Sequence, residues 1–171
     1  EGLARLRPAF QTDGLITAGN APGLSDGAAA LVVSSAQKAA ELGRKPLARV
    51  VGYAQAAVPP KYLFDAPAHA IPRLLNKVGW RLQDVDLIEL NEAFAAQVLA
   101  NGYALEDYGW DWQKVNVNGG AIALGHPIGA SGAKILTTLI YALKQRGLKR
   151  GIAALCLGGA EAVSLAVENL G

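Results

Sequence analysis

Four positions in this sequence pair a reactive side chain with unusual neighbours. His126 stands in Gly125-His126-Pro127. An imidazole exchanges protons near neutral pH, the glycine permits close backbone approach and the proline stiffens the chain that presents the ring. A loop histidine can equally make one structural hydrogen bond; the glycines, proline and helix start around this one favour a chemical role. His69, the only other histidine, lies in or near a helix without such surroundings and reads as structural. Cys156 closes an apolar run just before Gly158-Gly159. A free cysteine commonly packs as a small hydrophobe, yet a thiol with a pKa of about 8.5 also serves as base or nucleophile. Asn91 and Glu92 follow another apolar run, where Asn91 can cap a helix and Glu92 can complement its dipole, or either can take part in catalysis.

Several alternatives fail on spacing. The segment GHPIGASGAK resembles a phosphate-binding loop, but Ala133 separates Gly132 from Lys134 and Ile135 follows. No G-x-G-x-x-G follows a strand, no G-x-S-x-G elbow occurs, and two isolated histidines with one cysteine have no metal-ligand spacing.

The elements around these residues alternate. Residues 1–27 read as loop with an extended piece at 15–17 and a turn-rich cluster, GNAPGLSDG, at 19–27. An apolar strand is expected at 28–33, then a helix capped by Ser34 or Ser35 and stopped by Gly43. From Val50 the pattern predicts a strand to Ala57, a helix with Ile71, Leu74, Leu75 and Val78 on one face, and a strand over 85–90. A helix from Asn91 to about Tyr103, a short strand at 115–117 and the glycine-rich loop 118–132 follow. Ile135, Leu136, Leu139, Ile140 and Leu143 mark a last helix, and two strands, 152–157 and 162–167, are joined through Gly158-Gly159. The order β-α-β-α-β-α-β-β implies an α/β fold whose mixed, mostly parallel sheet carries helices on both faces and ends in an antiparallel pair. In such sheets ligands gather at the carboxyl ends of strands, where NEAFA (91–95), the loop 118–132 and CLGGA (156–160) all fall.

Composition bounds the rest. With 171 residues, 51% hydrophobic and 18% charged, the chain can bury a core and is not disordered. A net charge of +2 without runs gives no footprint for nucleic acid or an anionic membrane, and no apolar stretch is long enough to span one. One cysteine fits a reducing compartment, so a cytoplasmic location is expected. Glycine, 20 of 171, is well above the average of about 7%. Methionine is absent and the chain starts at Glu1 with no apolar leader, which suggests a fragment, a processed product or a chain given without its true start.

Together these segments resemble the carboxyl-terminal half of the thiolase family, the acetyl-CoA acetyltransferases and 3-ketoacyl-CoA thiolases. The run Asn116-x-x-Gly119-Gly120-x-Ile122-Ala123-x-Gly125-His126-Pro127-x-Gly129-x-Ser131-Gly132 matches a thiolase signature, and GNAPGLSDGAA (19–29), NEAFAAQ (91–97) and Cys156-x-Gly158 stand in the family's order. The resemblance covers nearly the whole chain. It implies a fold of two similar halves, with residues 1–46 closing the loop domain and first half and residues 47–171 forming the carboxyl-terminal domain.

The resemblance also implies roles. His126 would activate a nucleophilic thiol and donate to the thioester oxygen, Asn91 would hold a water in the same oxyanion hole, Cys156 would be the acid/base, and Gly158 would offer a backbone N–H. Ala18, Gly19, Leu63, Ala93 and Phe94 would contact the acyl-CoA substrate, with no permanently bound cofactor and no metal. Pro22 stands where the family commonly has a serine touching the pantetheine arm, and residues 63–67 and Ala160 and Ala162 also depart from the common pattern. The family's nucleophilic cysteine belongs to the first half and is missing here. The expectation is therefore an enzyme part, inactive alone, that needs an amino-terminal half, assembles as a homo-oligomer and exposes an apolar half-interface. A non-enzymatic acyl-CoA or lipid-binding module is the alternative; NEAFA and the Cys156 element speak against a ketosynthase-type condensing enzyme.

Overall fold

A computed structural model describes residues 1–171. Four strands, β1 (Ala48–Ala57), β2 (Leu87–Leu90), β3 (Arg150–Leu157) and β4 (Glu161–Asn169), form one mixed sheet in the order β1-β4-β3-β2. Helices α1 (Ala36–Glu41), α2 (Ala66–Val78), α3 (Ala95–Ala104), α4 (Ala121–Leu124) and α5 (Ser131–Arg146) complete the fold. Strand β4 pairs antiparallel with both β1 and β3, while β2 pairs parallel with β3. Three strands therefore run in one direction and only β4 is reversed, because the short link after Leu157 turns the chain straight back. The mixed α/β architecture agrees with the alternating pattern in the sequence.

Both faces of the sheet are covered in its centre. Ile71, Leu74 and Leu75 of α2 and Val98 of α3 pack on Ile88, Leu90, Ile152 and Ala154. On the other face Ile135, Leu139 and Leu143 of α5 pack on Leu87, Ala153 and Val167. Burial of each such leucine or isoleucine stabilises by roughly 1.5–3 kcal/mol. Strand β2, apolar but for Glu89, is buried at all four positions because it is covered on both sides. The helices stop where the sequence says they should: Gly79 and Gly147 take left-handed backbone at the ends of α2 and α5.

Two expected strands do not form as such. The apolar run 28–33 makes no ladder, and Val32 is fully exposed. A strand needs a neighbour to take its N–H and C=O groups, and these 171 residues present none to it. At 115–117 only one parallel bridge forms, Val115 to Ile88, because Asn116 turns to a left-handed backbone with φ 47°. The extended piece at 15–17 likewise reduces to one bridge, Thr17 to Pro8.

Candidate functional site

The shared direction of β2 and β3 brings their carboxyl ends to one rim. Leu90 pairs with Ala154, and the Asn91 N–H donates to the Ala154 carbonyl at 3.0 Å. Cys156 lies two residues further along β3, half-buried, opposite Ala162. Exposed Gly158 opens the turn into β4.

Asn91 is 3% exposed and caps no helix. Helix α3 starts four residues later, with Phe94 at the cap position and no side-chain cap, so the capping role expected for Asn91 is absent. Glu92 also departs from its expected place at the α3 dipole. Its carboxylate accepts from the Ile122 N–H at 3.0 Å and fills the space over Gly120, where an added Cβ would lie 2.0 Å from its Cδ. A residue from the NEAFA turn thus satisfies the first turn of α4, thirty positions on, and pins the glycine-rich loop to the rim.

Asn116 does a related job. Its Oδ1 accepts from the Leu90 N–H at 2.9 Å and its Nδ2 donates to the Leu90 carbonyl at 2.8 Å. The side-chain amide stands in for a neighbouring strand at the edge of β2. Asparagine is among the few non-glycine residues that tolerate the φ adopted here.

His126 is held at its backbone and at its ring. Its backbone N–H donates to Ser25 Oγ at 3.2 Å, and its ring Nδ1 lies 2.5 Å from Ser131 Oγ. Ser131, buried at the start of α5, donates its hydroxyl proton to the Pro127 carbonyl at 3.0 Å. With that proton committed, Ser131 Oγ accepts from the ring. Nδ1 therefore carries the hydrogen, and Nε2 is the basic nitrogen of the neutral imidazole. Burial, reinforced by the Lys134 ammonium, lowers the His126 pKa below its ordinary value, which keeps the ring neutral at pH 7. The GNAPGLSDG cluster meets this loop directly: a Cβ on Gly27 would strike Pro127 Cγ at 2.8 Å.

Cys156 moves the other way. Burial raises its pKa above that of a free thiol, so it rests protonated near neutrality. Neither Cys156 nor Asn91 hydrogen-bonds to His126; what the fold brings together is the rim that carries all three, through β2, β3 and the α5 loop packed on them.

Of the five residues expected to touch substrate, Phe94 lines an apolar cavity of about 450 Å³ together with Phe10, Ile16, Phe64, Gln97 and Ala100. Phe94 meets Phe10 and Phe64 edge-on, with ring centroids 6.3 and 5.2 Å away. Ala93 adjoins this wall and donates its N–H to Gln97 Oε1, whose Nε2 is buried without a partner. Ala18 and Gly19 sit on a turn tied to α3 by the Ala95 N–H, which donates to the Asn20 carbonyl at 2.9 Å. Leu63 is half-buried in the turn before α2. These last four do not line the cavity. Phe64 is anchored by buried Asn101, whose Nδ2 donates to the Phe64 carbonyl at 2.7 Å while its Oδ1 accepts from the Ala68 N–H. Asn101, Ser131, Asn116 and Gln97 carry no local signal of these contacts; only an asparagine or glutamine amid an apolar helix face hints at a buried partner.

Glu89 is the one buried acid of the sheet. Burial first, then the Glu92 carboxylate, raises its pKa to about 7, with Lys134 opposing. Between 4.5, its ordinary value, and about 7 the folded chain holds a proton that the unfolded chain has released, so stability falls as pH rises through that window. Glu89→Gln is expected to leave stability unchanged near pH 4.5 and to raise it by roughly 2–3 kcal/mol at pH 8. Urea unfolding at the two pH values checks this; equal effects at both would show that Glu89 ionises freely in the folded chain.

Comparison with known proteins places these features in a family. Residues 44–169 match the model of the thiolase C-terminal domain, and residues 1–37 match that of the thiolase N-terminal domain. The acetyl-CoA acetyltransferases of Allochromatium vinosum and Cupriavidus necator are each 55% identical to this chain, over 170 and 169 residues. Those matches take in 99% of this chain and 42% of either relative, so the chain spans well under half their length. The crystal structure of the Bacillus anthracis acetyl-CoA acetyltransferase superposes with a TM-score of 0.94 at 54% identity, covering 99% of this chain and 42% of that one. Human mitochondrial 3-ketoacyl-CoA thiolase in complex with CoA superposes with a TM-score of 0.89 at 38% identity, covering 98% and 42%. Asn91, His126 and Cys156 all lie inside the longer matched span, on the same rim of the sheet, and with both family models matched the chain belongs to the thiolase family.

Proposed function

We propose that this chain supplies the acid/base and oxyanion residues of an acyl-CoA acyltransferase of the acetyl-CoA acetyltransferase type, while the nucleophilic cysteine comes from an amino-terminal half. The observation that carries the reading is the seat of His126: its ring Nδ1 lies 2.5 Å from Ser131 Oγ, whose hydroxyl reaches the Pro127 carbonyl at 3.0 Å, a pairing that leaves Nε2 as the basic nitrogen. In thiolysis, Nε2 accepts the proton of the nucleophilic thiol, and the thiolate attacks the 3-keto carbon of the substrate. The carbon–carbon bond breaks, and the enolate of acetyl-CoA takes its proton from the Cys156 thiol, which burial keeps protonated for that step. The Cys156 thiolate then removes the proton of free CoA, whose sulfur attacks the acyl-enzyme; the nucleophilic cysteine leaves as thiolate and takes back the proton held on His126 Nε2, and the shortened acyl-CoA is released. Asn91, through a held water, and the Gly158 N–H face the oxygens that become negative; preorganised donors of this kind contribute about 3–4 kcal/mol each. Phe10, Phe64 and Phe94 accept the apolar part of the substrate.

The test co-expresses this chain with the amino-terminal portion of the Allochromatium vinosum relative and follows cleavage of acetoacetyl-CoA by CoA. Turnover by the pair, none by the chain alone, and no acyl adduct on Cys156 are the expected results. Acetyl-CoA binding by the pair without turnover would instead favour the non-enzymatic acyl-CoA-binding reading, for which Pro22 and the absent nucleophile speak.

A further inference from the structure

The first turn of α5 sends a second side chain back to the His126 loop. Lys134 Nζ donates to the Gly125 carbonyl at 2.5 Å. That carbonyl and the His126 N–H belong to one peptide unit, and the N–H is already bonded to Ser25 Oγ. One plane is thus gripped at both ends, by α5 on one side and by the 19–27 segment on the other. The grip matters because Gly125, at φ 93° and ψ 154°, lies where no side chain would hold the backbone, and an added Cβ would meet Ser25 Oγ at 2.9 Å. Behind Lys134, Glu89 reaches the same face of β2 as Leu87, which packs on α5.

From this geometry we propose that Lys134 is a positioning residue for His126: with Ser25 it clamps the Gly125–His126 peptide and so sets the direction in which Nε2 faces the reacting thiol. The proposal rests on the reading of His126 as the base. The charged group that acts on the ring is Lys134 from α5; Lys134 in turn acts on Glu89 of β2, which also feels the Glu92 carboxylate in the turn after it. Lys134 is the positive charge among them, and its ammonium also opposes protonation of the ring. A lysine acting through its charge alone would shift the ring's pKa without changing its tautomer or its orientation.

With only two histidines, the ring signals of His126 and exposed His69 are separable by NMR in this 171-residue chain. Lys134→Gln is expected to raise the His126 pKa and to erode the preference for Nδ1–H, while the His69 signal is unchanged. Lys134→Arg, which keeps charge and donor, is expected to restore both. Ser25→Ala opens the other end of the clamp without changing charge, and is expected to broaden or split the His126 signal at nearly the same pKa. This variant carries the test if Lys134→Gln does not fold. A Lys134→Gln chain whose His126 tautomer is unaltered, whatever its pKa, or a Ser25→Ala chain with an unaltered His126 signal, overturns the proposal. In the two-part enzyme, Lys134→Gln is expected to lower kcat by about 10- to 100-fold with little change in KM. The NMR result needs no turnover, so failure of the clamp and failure of the acyl-transfer reading are separately visible.

Discussion

Replacing His126 by alanine is expected to slow acetoacetyl-CoA cleavage by the two-part enzyme by about 10²–10⁴-fold, the range set by loss of a positioned proton acceptor. The fold should survive. The ring makes a single hydrogen bond, to Ser131, while the surrounding backbone is held independently through Ser25 and Lys134. The loss should therefore appear in kcat with unchanged unfolding in urea. The pH profile gives a second signature. Because burial and Lys134 lower the imidazole pKa, the acid limb of the parent enzyme should lie below 6.5 and disappear in the alanine variant. A variant within threefold of the parent would mean that Nε2 faces no reacting proton.

The largest expected effect on stability is at Asn116. Its amide satisfies both the N–H and the C=O of Leu90, a residue only 1% exposed, at the end of a strand four residues long. Asn116→Ala leaves two backbone groups without partners at about 1–3 kcal/mol each, and some water entry offsets part of that. A net loss of roughly 2–4 kcal/mol in urea unfolding is expected. Asn116→Gly separates the causes. Glycine adopts φ 47° freely, so a glycine variant as unstable as the alanine one locates the effect in the amide bonds. A glycine variant near the parent would locate it in backbone strain. Because Asn116 anchors the end of β2 from which Asn91 and Glu92 project, activity should fall with stability.

How much of this was legible in the linear order of residues follows from the range of the forces involved. Helix ends at Gly43, Gly79 and Gly147 were legible because a left-handed residue at a helix end is a local matter settled within one turn. The apolar faces of α2 and α5 were legible for the same reason, since spacing of 3.6 residues alone defines them. His126 stood out because glycine and proline flanked it, and the alternation of strands and helices already implied one shared rim. The run 28–33 misled: its composition permits a strand, but a strand is a relation between two segments, and composition names only one of them. The run 115–117 misled differently, because Asn116 gives Leu90 its side chain where a strand would have given its backbone.

The order of residues is enough to say where the chain bends, which faces are apolar and which few side chains can exchange protons. Packing settled the partner of His126 Nδ1, that Glu92 serves the loop at Ile122 rather than its own helix, and that Lys134 reaches Gly125. Propensity acts between neighbours within a turn, whereas a hydrogen-bond partner or a protonation state depends on groups tens of residues away that packing alone brings within about 3 Å.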